Sequence, residues 1–419
     1  MADIIIAAYG SRGDILPLTD FGTRLSRAGH RVVMTAPPDL ADEGRHLGID
    51  LRPIDFQFDD EIDVSKIDPL KAARQMVMPK GMKQLGDNIL DALVDVPADL
   101  VVLSPFAELA GHPFAESRGI PAIGARLQPI SATRDHPPTL AGAWSAGGFL
   151  NRQAGRNAAS WIDRMYGKTI ADFRERLDLP GKSARMMRRE RTSANWPIVH
   201  GYSPSVLPRP DDWRDGIDVV GYWWPPANDW AAPDELTAFL DNGEPPVFVG
   251  LGSLMVTADE AARLSDVIGS ALERVGVRGI VQAGGSGLNV DGPGILPIGA
   301  APYDWLFPRV AAVAHSCGAG TTASGLRAGL PTVGIPSPGG DQPFWAKRLR
   351  HLGVSPMSLP RPKLKADALA SAIDVALNDP TYHVAAQELA ARIATEDGGA
   401  VMVKTIEQLV DIGRSRSVS

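Results

Sequence analysis

One pattern recurs along this chain: a short apolar run, then a loop, then a helical pattern. This repeated pattern constrains the fold more than any other feature of the sequence. Residues 4–9, 246–250 and 313–315 each precede a loop containing Gly and Ser, and residues 100–105 precede a further helical pattern. Continuous apolar runs of this length are typical of strands buried on both faces of a parallel sheet. Strands that alternate with helices predict an α/β fold with doubly wound sheets.

The length of the chain indicates two domains. Its 419 residues exceed one typical domain and suit two of about 200 residues. A Pro-rich, strand-poor stretch over residues 203–226 is typical of a linker, so we place the boundary near residue 225.

Composition excludes several classes of function. A net charge of −7 argues against a nucleic-acid partner. The single cysteine, Cys317, cannot form an internal disulfide, and the eight histidines lack the spacing of metal ligands. No apolar run approaches a transmembrane length, and the first residues lack the pattern of a secretion signal. We expect a soluble, cytoplasmic protein.

Helical spacing predicts several further elements. One long helix is expected over residues 157–177, with Trp161, Met165, Ile170 and Phe173 broadly on one stripe. Another is expected over residues 385–412, and a shorter one over residues 40–47. Residues 56–82 predict an irregular segment that is acidic at its start.

The loop after residues 313–315 suits a diphosphate. Gly318 and Gly320 allow backbone N–H groups to approach an anion closely, and the helix that follows adds roughly half a positive charge. Asp341 and Gln342 follow the next apolar strand, at the edge where open α/β sheets bind ligands. The same glycine pattern is also an ordinary strand-to-helix turn, and that interpretation stays open.

These residues resemble the donor-binding signature of GT-B glycosyltransferases that use nucleotide-diphospho-sugars, in the bacterial branch (family 1 type) that glycosylates antibiotics, sterols and lipids. The usual form there is His-Gly-Gly-Ala-Gly-Thr, followed further along by Asp-Gln. The resemblance implies a GT-B fold, in which two Rossmann-like doubly wound domains face each other across a cleft. Residues 1–225 would bind the acceptor and residues 226–419 the donor, with the last helix crossing back to the first domain.

The loop after residues 4–9 matches the family motif Gly-(His or Asp)-x-x-Pro at residues 13–17. By this resemblance Asp14 is the general base that deprotonates the acceptor hydroxyl. A carboxylate is a weak base for an alcohol, so Asp14 must act as the leaving group departs or have its pKa raised by burial. Asp is also favoured in the first turn of a helix, which is the competing interpretation. Arg12 could lower that pKa, bind phosphate or be merely solvated.

The resemblance also assigns the donor site. Ser253 occupies the position of a hydroxyl that contacts phosphate, and backbone near Ala301 would recognise the nucleotide base. Ser316 stands where the family has a diphosphate-binding His, with His315 one residue earlier. The full predicted donor-binding set is Ser11, Arg12, Gly252, Ser253, Ala301, Ser316, Gly318, Ala319, Gly320, Thr321, Asp341 and Gln342.

The implied activity is inverting transfer of a hexose from a UDP- or TDP-sugar to a hydroxyl of an apolar antibiotic, sterol or lipid. The nucleotide sugar is a co-substrate, and neither a cofactor nor a metal is expected. Ser316 favours a second interpretation, a non-catalytic relative that binds sugar nucleotide or acts as the partner of an active transferase. The basic residues 185–191 are either a solvated helix face or a peripheral contact with an anionic membrane.

Overall fold

The computed structural model describes residues 1–41, 47–56, 75–139, 142, 144–227, 230–253 and 255–417. Contacts divide the chain into two compact units, which are described separately. Unit 1 comprises Met1–Pro138, Ala146–Pro226 and Glu396–Ser419, and unit 2 comprises Thr139–Ser145 and Ala227–Thr395. The acidic start of the predicted segment 56–82 and most of the predicted helix 40–47 lie outside the described residues.

Unit 1 is built on a parallel seven-stranded sheet with the order β3-β2-β1-β4-β5-β6-β7. Along β1 the side chains alternate between two cores: Ile4 and Ile6 pack on one face, and Ile5 and Ala7 on the other. This confirms the prediction of a first strand buried on both faces. The strands are β1 (Asp3–Ala7), β2 (Arg31–Ala36), β3 (Asp50–Pro53), β4 (Leu100–Leu103), β5 (Ala122–Arg126), β6 (Ile198–His200) and β7 (Ile217–Val219).

Helices cover both faces of this sheet. Phe21 and Leu25 of the second helix join the core on one face, and Leu85 and Phe114 join the core on the other. The described helices of unit 1 are Arg12–Ile15, Leu18–Arg27, Pro38–Ala41, Pro79–Leu93, Glu108–Arg118, Gly148–Met165, Gly167–Arg176, Ala184–Ser193 and Gly398–Ser417.

Unit 2 is built on a parallel five-stranded sheet with the order β10-β9-β8-β11-β12. Its strands are β8 (Val247–Gly250), β9 (Gly279–Gln282), β10 (Ile295–Ile298), β11 (Ala312–His315) and β12 (Thr332–Gly334). Its described helices are Asp234–Asp241, Ala258–Val275, Tyr303–Leu306, Ala319–Arg327, Gln342–His351, Ala366–Asn378 and Pro380–Ile393, with 3-10 turns at Gly284–Ser286, Phe307–Arg309 and Arg361–Lys363. Two parallel α/β sheets confirm the predicted fold class.

The helix Ala258–Val275 shows why some boundaries are readable from sequence. The hydroxyl of Thr257 accepts a hydrogen bond from the backbone N–H of Glu260 at 3.4 Å, which caps the first turn. Gly276 ends the helix in the left-handed conformation, with φ at 72°. Both caps are residue types that the sequence shows directly.

The predicted single helix over residues 157–177 is wrong. Two helices, Gly148–Met165 and Gly167–Arg176, meet at Tyr166, whose backbone leaves helical geometry with φ at −100° and ψ at 8°. The buried Tyr166 ring anchors the break, and its hydroxyl donates to the carbonyl of Val77 at 2.5 Å. As a result Trp161 is exposed, whereas Ile170 and Phe173 are buried.

The predicted helix over residues 385–412 is also two helices, Pro380–Ile393 and Gly398–Ser417. Asp397 starts the second one, because its carboxylate accepts from the backbone N–H of Ala400 at 3.0 Å. A Cβ added at Gly398 would lie 2.3 Å from the carbonyl oxygen of Gly221. Only glycine allows this close approach, and two consecutive glycines also disfavour a continuous helix.

The strand-poor linker predicted over residues 203–226 is only partly correct. Ile217–Val219 forms β7 and pairs with β6 at the edge of the first sheet. Trp223 then packs edge-on against Phe21 at 5.1 Å between ring centroids. This stretch is therefore largely part of the folded body of unit 1.

Candidate active site

Asp14 lies just beyond the carboxyl end of β1. The hydroxyl of Thr35 bonds both backbone groups of Ala8 there, accepting from the N–H at 2.8 Å and donating to the C=O at 2.7 Å. Gly10 follows with φ at 147°, and a Cβ at Gly10 would lie 2.8 Å from Oδ2 of Asp14. The chain therefore turns closely around the Asp14 side chain, which requires glycine at residue 10.

The Asp14 carboxylate is held by neighbouring donors. Oδ2 of Asp14 accepts from the backbone N–H of Ser11 at 3.0 Å and from its hydroxyl at 2.8 Å. Burial raises the pKa of Asp14, and the hydrogen bonds from Ser11 and from the side chain of Gln128 only partly oppose this rise. A raised pKa is the property that the sequence argument requires of a carboxylate base.

The competing role for Asp14 is present as well. Ser11 precedes the short helix Arg12–Ile15, and Asp14 in its first turn bonds the Ser11 backbone as capping residues do. The two interpretations are compatible, because a cap also fixes the position of the carboxylate. Arg12 is exposed, and the bonds that lower the pKa of Asp14 come from Ser11 and Gln128 instead.

Gln128 is a candidate that the sequence argument did not assign a role. It follows β5, so it lies at the carboxyl edge of the sheet that also carries Asp14. Its loop is anchored by Arg126, which donates to Oε1 of Glu108 at 2.7 and 3.0 Å and to the hydroxyl of Ser131 at 3.3 Å. Position after a parallel strand was the only signal available in the sequence.

The Glu108 carboxylate and the Arg126 guanidinium form a close ion pair, with 2.7 Å between Oε1 and Nη2. Burial alone would raise the pKa of Glu108, but Arg126 and His112 outweigh burial and bring it down to about 2. The carboxylate therefore stays ionised at neutral pH and fixes the end of β5.

In unit 2, the predicted strand, small-residue loop and helix are all observed. β11 ends at His315, Ser316 and Cys317 form the loop, and Gly318 precedes the helix Ala319–Arg327. Cys317 has φ at 62°, a conformation that favours glycine, and the family motif has Gly at this position. The first backbone N–H groups of the helix have no partner within the helix, so they can bind an anion.

The loop is held by His315 and Cys317. Nδ1 of His315 accepts from the backbone N–H of Cys317 at 2.9 Å, and burial lowers the pKa of His315 to about 4. The His315 ring is fully buried, and its Nε2 has no hydrogen-bond partner among the residues that the structure describes. His315 therefore supports the loop from inside and does not replace the family histidine. Ser316, at the family position, is itself buried.

The Gly252–Ser253 turn packs against a second glycine turn. The carbonyl of Gly252 accepts from the N–H of Gly285 at 2.9 Å, and a Cβ at Gly285 would lie 2.6 Å from the carbonyl oxygen of Ser253. Ser253 is exposed at the tip of this pair of turns. Ser253 is therefore accessible to a ligand, and its contact with phosphate stays a prediction.

Asp341 and Gln342 have internal partners. Oδ2 of Asp341 accepts from Nε1 of Trp345 at 2.9 Å, and Oε1 of Gln342 accepts from the backbone N–H of Ser337 at 2.9 Å. Both residues are partly exposed at the start of the helix Gln342–His351. These bonds fix the start of that helix, and binding of the donor by Asp341 and Gln342 stays a prediction.

Ala301 borders a cavity of about 210 Å³ in unit 2, which is also lined by Trp230, Ile298 and Ala300. Nearby, the hydroxyl of Tyr303 donates to Oε1 of Gln282 at 2.8 Å. Tyr303 also contacts the side chain of Thr321, a predicted donor-binding residue in the first turn of the helix Ala319–Arg327. This contact links the segment around Ala301 to the helix that follows the small-residue loop.

The predicted site residues are therefore divided between the two units. Ser11, Arg12 and Asp14 are together in unit 1, and the other predicted donor-binding residues belong to unit 2. Among the described residues, no group of three His, Cys, Asp or Glu could hold a metal ion. No helix in this described part is long and apolar enough to cross a membrane.

Comparison with known proteins identifies the family. Residues 277–409 match the C-terminal domain of erythromycin biosynthesis protein CIII-like proteins. O-mycaminosyltylonolide 6-deoxyallosyltransferase of Streptomyces fradiae is 31% identical over 414 residues, which cover 94% of each chain. The chain belongs to the antibiotic and sterol glycosyltransferases. A sterol 3-beta-glucosyltransferase of Arabidopsis thaliana is also 30% identical to this glycosyltransferase over 428 residues, which cover 96% of this chain and 64% of the plant protein.

Solved structures show the same fold for this glycosyltransferase. The glycotransferase of kitacinnamycin superposes with a TM-score of 0.71 at 18% identity, over 97% of this chain and 99% of that one. The Streptomyces glycosyltransferase SsfS6, in complex with thymidine diphosphate, superposes with a TM-score of 0.62 at 21% identity, over 97% and 100%. Both the predicted family and the predicted GT-B fold class are confirmed.

Proposed function

We propose that this glycosyltransferase moves a hexose from a UDP- or TDP-sugar to a hydroxyl of an apolar acceptor, with inversion at the anomeric carbon. Asp14 accepts the proton of the acceptor hydroxyl while the oxygen of that hydroxyl bonds to the anomeric carbon. The bond from that carbon to the diphosphate breaks in the same step, and the nucleoside diphosphate leaves. The observation that carries the proposal is the Asp14 carboxylate, held by Ser11 and raised in pKa by burial.

The proposed donor site is the loop of Ser316 to Gly318 with the start of the helix Ala319–Arg327. Free N–H groups and the helix dipole stabilise the negative charge that develops on the diphosphate, and no metal or cofactor is required for this. Thymidine diphosphate in the SsfS6 complex supports a nucleoside diphosphate as the ligand. Because Ser316 replaces an imidazole, we propose weaker stabilisation of the leaving group than a histidine would give.

The acceptor class is proposed from the relatives. One is named for transfer to O-mycaminosyltylonolide and another for transfer to a sterol. We therefore propose an acceptor hydroxyl on an apolar ring system or lipid. A reducing, cytoplasmic location is part of the same proposal, and the free, buried thiol of Cys317 is compatible with it.

The test is release of nucleoside diphosphate from UDP- or TDP-glucose by wild type, Asp14→Asn and the control Asp95→Asn, an exposed carboxylate of unit 1. Wild type and the control should turn over the donor slowly without an acceptor and faster with a sterol or macrolide alcohol. Asp14→Asn should lose acceptor-stimulated turnover by at least about 100-fold and still bind UDP or TDP. Equal turnover in all three proteins would refute Asp14 as the base, and absence of nucleotide binding would refute the donor site.

A further inference from the structure

One helix of unit 1 has the reverse of the usual distribution of side chains. In Gly148–Met165 the buried residues are Asn151 and Gly155. The Asn151 amide donates to the carbonyl of Arg134 at 3.1 Å, so this polar side chain is fixed on the inner face. A surface helix normally buries its apolar side chains and exposes its polar ones. Here the fully buried positions are an amide and a glycine, and Met165 at the end of the helix packs against a core while it stays partly exposed.

Large apolar side chains lie on the outer face instead. Phe149 is 78% exposed and Trp161 is 58% exposed, and Leu150 is exposed as well. None of them belongs to a hydrophobic core of the described structure. Met186, on the helix Ala184–Ser193, is exposed in the same way. Clustered exposed side chains of this size indicate a surface that contacts another apolar phase.

The two helices form one surface. They pack together, and Arg188 donates to Asp163 at 2.8 Å across the contact. We call the exposed side of this helix pair the basic apolar surface and define it by its apolar members, Phe149, Leu150, Trp161 and Met186, and by its cations, Arg156, Arg164, Arg185 and Arg189.

The charge on this surface has one sign. Its four arginines are exposed and make no ion pair within the described part of the chain. The acids beside them are already neutralised: Asp163 pairs with Arg188 at 2.8 Å, and Glu190 pairs with Lys182 at 3.0 Å. The whole chain carries a net charge of −7, so the positive charge of this surface is opposite in sign to that of the protein as a whole.

We propose that the basic apolar surface docks this enzyme on an anionic lipid bilayer. Arginines at such a surface are attracted to anionic headgroups, and the exposed Phe, Trp and Leu side chains enter the boundary between headgroups and acyl chains. The docking is peripheral and requires no membrane-spanning segment. It places the enzyme where an apolar acceptor is dissolved, and it is independent of the chemistry of glycosyl transfer.

The test is flotation of the full chain with vesicles of phosphatidylcholine alone or of an equimolar mixture of phosphatidylcholine and phosphatidylglycerol. Wild type should bind the anionic vesicles and not the neutral ones, and binding should fall as salt rises. Arg156→Gln and Arg164→Gln should each weaken binding about fivefold. Phe149→Ser with Trp161→Ser should abolish it.

The matched controls are Arg27→Gln and Val94→Ser, which remove an exposed cation and an exposed apolar side chain elsewhere in unit 1. Both should bind as wild type does, and circular dichroism should show all variants folded. Equal binding to neutral vesicles, or no effect of the four substitutions, would overturn the proposal. A dimer in light scattering that Phe149→Ser with Trp161→Ser disrupts would assign the surface to a second copy instead. Because flotation uses no donor or acceptor, its outcome is separate from that of the turnover assay.

Discussion

Substitution of Gly10 by Ala should displace the Asp14 carboxylate and so reduce activity much more than it reduces the stability of the fold. The new Cβ would lie 2.8 Å from both Cβ and Oδ2 of Asp14, about 0.6 Å inside ordinary van der Waals contact. The backbone at Gly10 also has φ at 147°, which L residues rarely adopt. The carboxylate must therefore move away and lose its geometry with Ser11.

The expected size of the effect follows from that displacement. A catalytic group that is misplaced by about 1 Å can cost about 100-fold in rate, so a shift of a little over half that distance should cost between about 10- and 100-fold in kcat/KM. The free energy of unfolding should fall by about 1–2 kcal/mol because of the positive φ.

Gly119→Ala is the matched control. Gly119 has φ at 65°, and a Cβ there would meet no atom within 4 Å. This variant should lose about 1 kcal/mol of stability and keep its activity. Turnover of UDP- or TDP-glucose with an acceptor and urea denaturation measure the two quantities. If Gly10→Ala and Gly119→Ala lose activity equally, the close turn around Asp14 has no catalytic role.

Three further changes test other features. Asp14→Asn should increase the free energy of unfolding at pH 7, because burial raises the pKa of Asp14 and folding therefore disfavours its charged form. This increase in stability should vanish below the unfolded pKa of 3.8, where Asp14 is protonated in both states. Denaturation at several pH values would measure it. Glu108→Gln leaves Arg126 without its carboxylate and should cost about 3 kcal/mol in urea denaturation, whereas the wild-type pair should persist until the pH falls towards 2. Gly398→Ala should cost about 1–3 kcal/mol, because its Cβ would meet the Gly221 carbonyl, and a melting temperature equal to that of wild type would contradict this.

The sequence predicts the local features of this structure well. Continuous apolar runs identify β1, β4, β8 and β11, because strands of parallel sheets are buried on both faces. The small-residue loop before the helix Ala319–Arg327 is equally local, since Gly318 and the strand before it are adjacent in the chain. Helix ends are predictable where a cap is present, as at Thr257 and Gly276.

Features that depend on distant contacts could not be predicted. The break at Tyr166 depends on a hydrogen bond to Val77, and the break before Gly398 depends on the backbone of Gly221. The approach of Gln128 to Asp14 joins residues that are far apart in sequence, and only the order of the strands brings them together. The burial of His315 is likewise a tertiary property, because the sequence shows only its position beside Ser316.

The contribution of the last helix to unit 1 has a consequence for biosynthesis. Met402, Ile406 and Val410 of Gly398–Ser417 complete the same core as Phe21 and Leu25. A nascent chain that has reached residue 395 still lacks these side chains, so part of the core on one side of the first sheet stays uncovered until translation has passed them. Unit 2, whose segments have by then all been synthesised, can fold before unit 1. Expression of residues 1–225 alone should therefore yield an aggregating fragment, and co-expression of the segment 396–419 should improve its solubility.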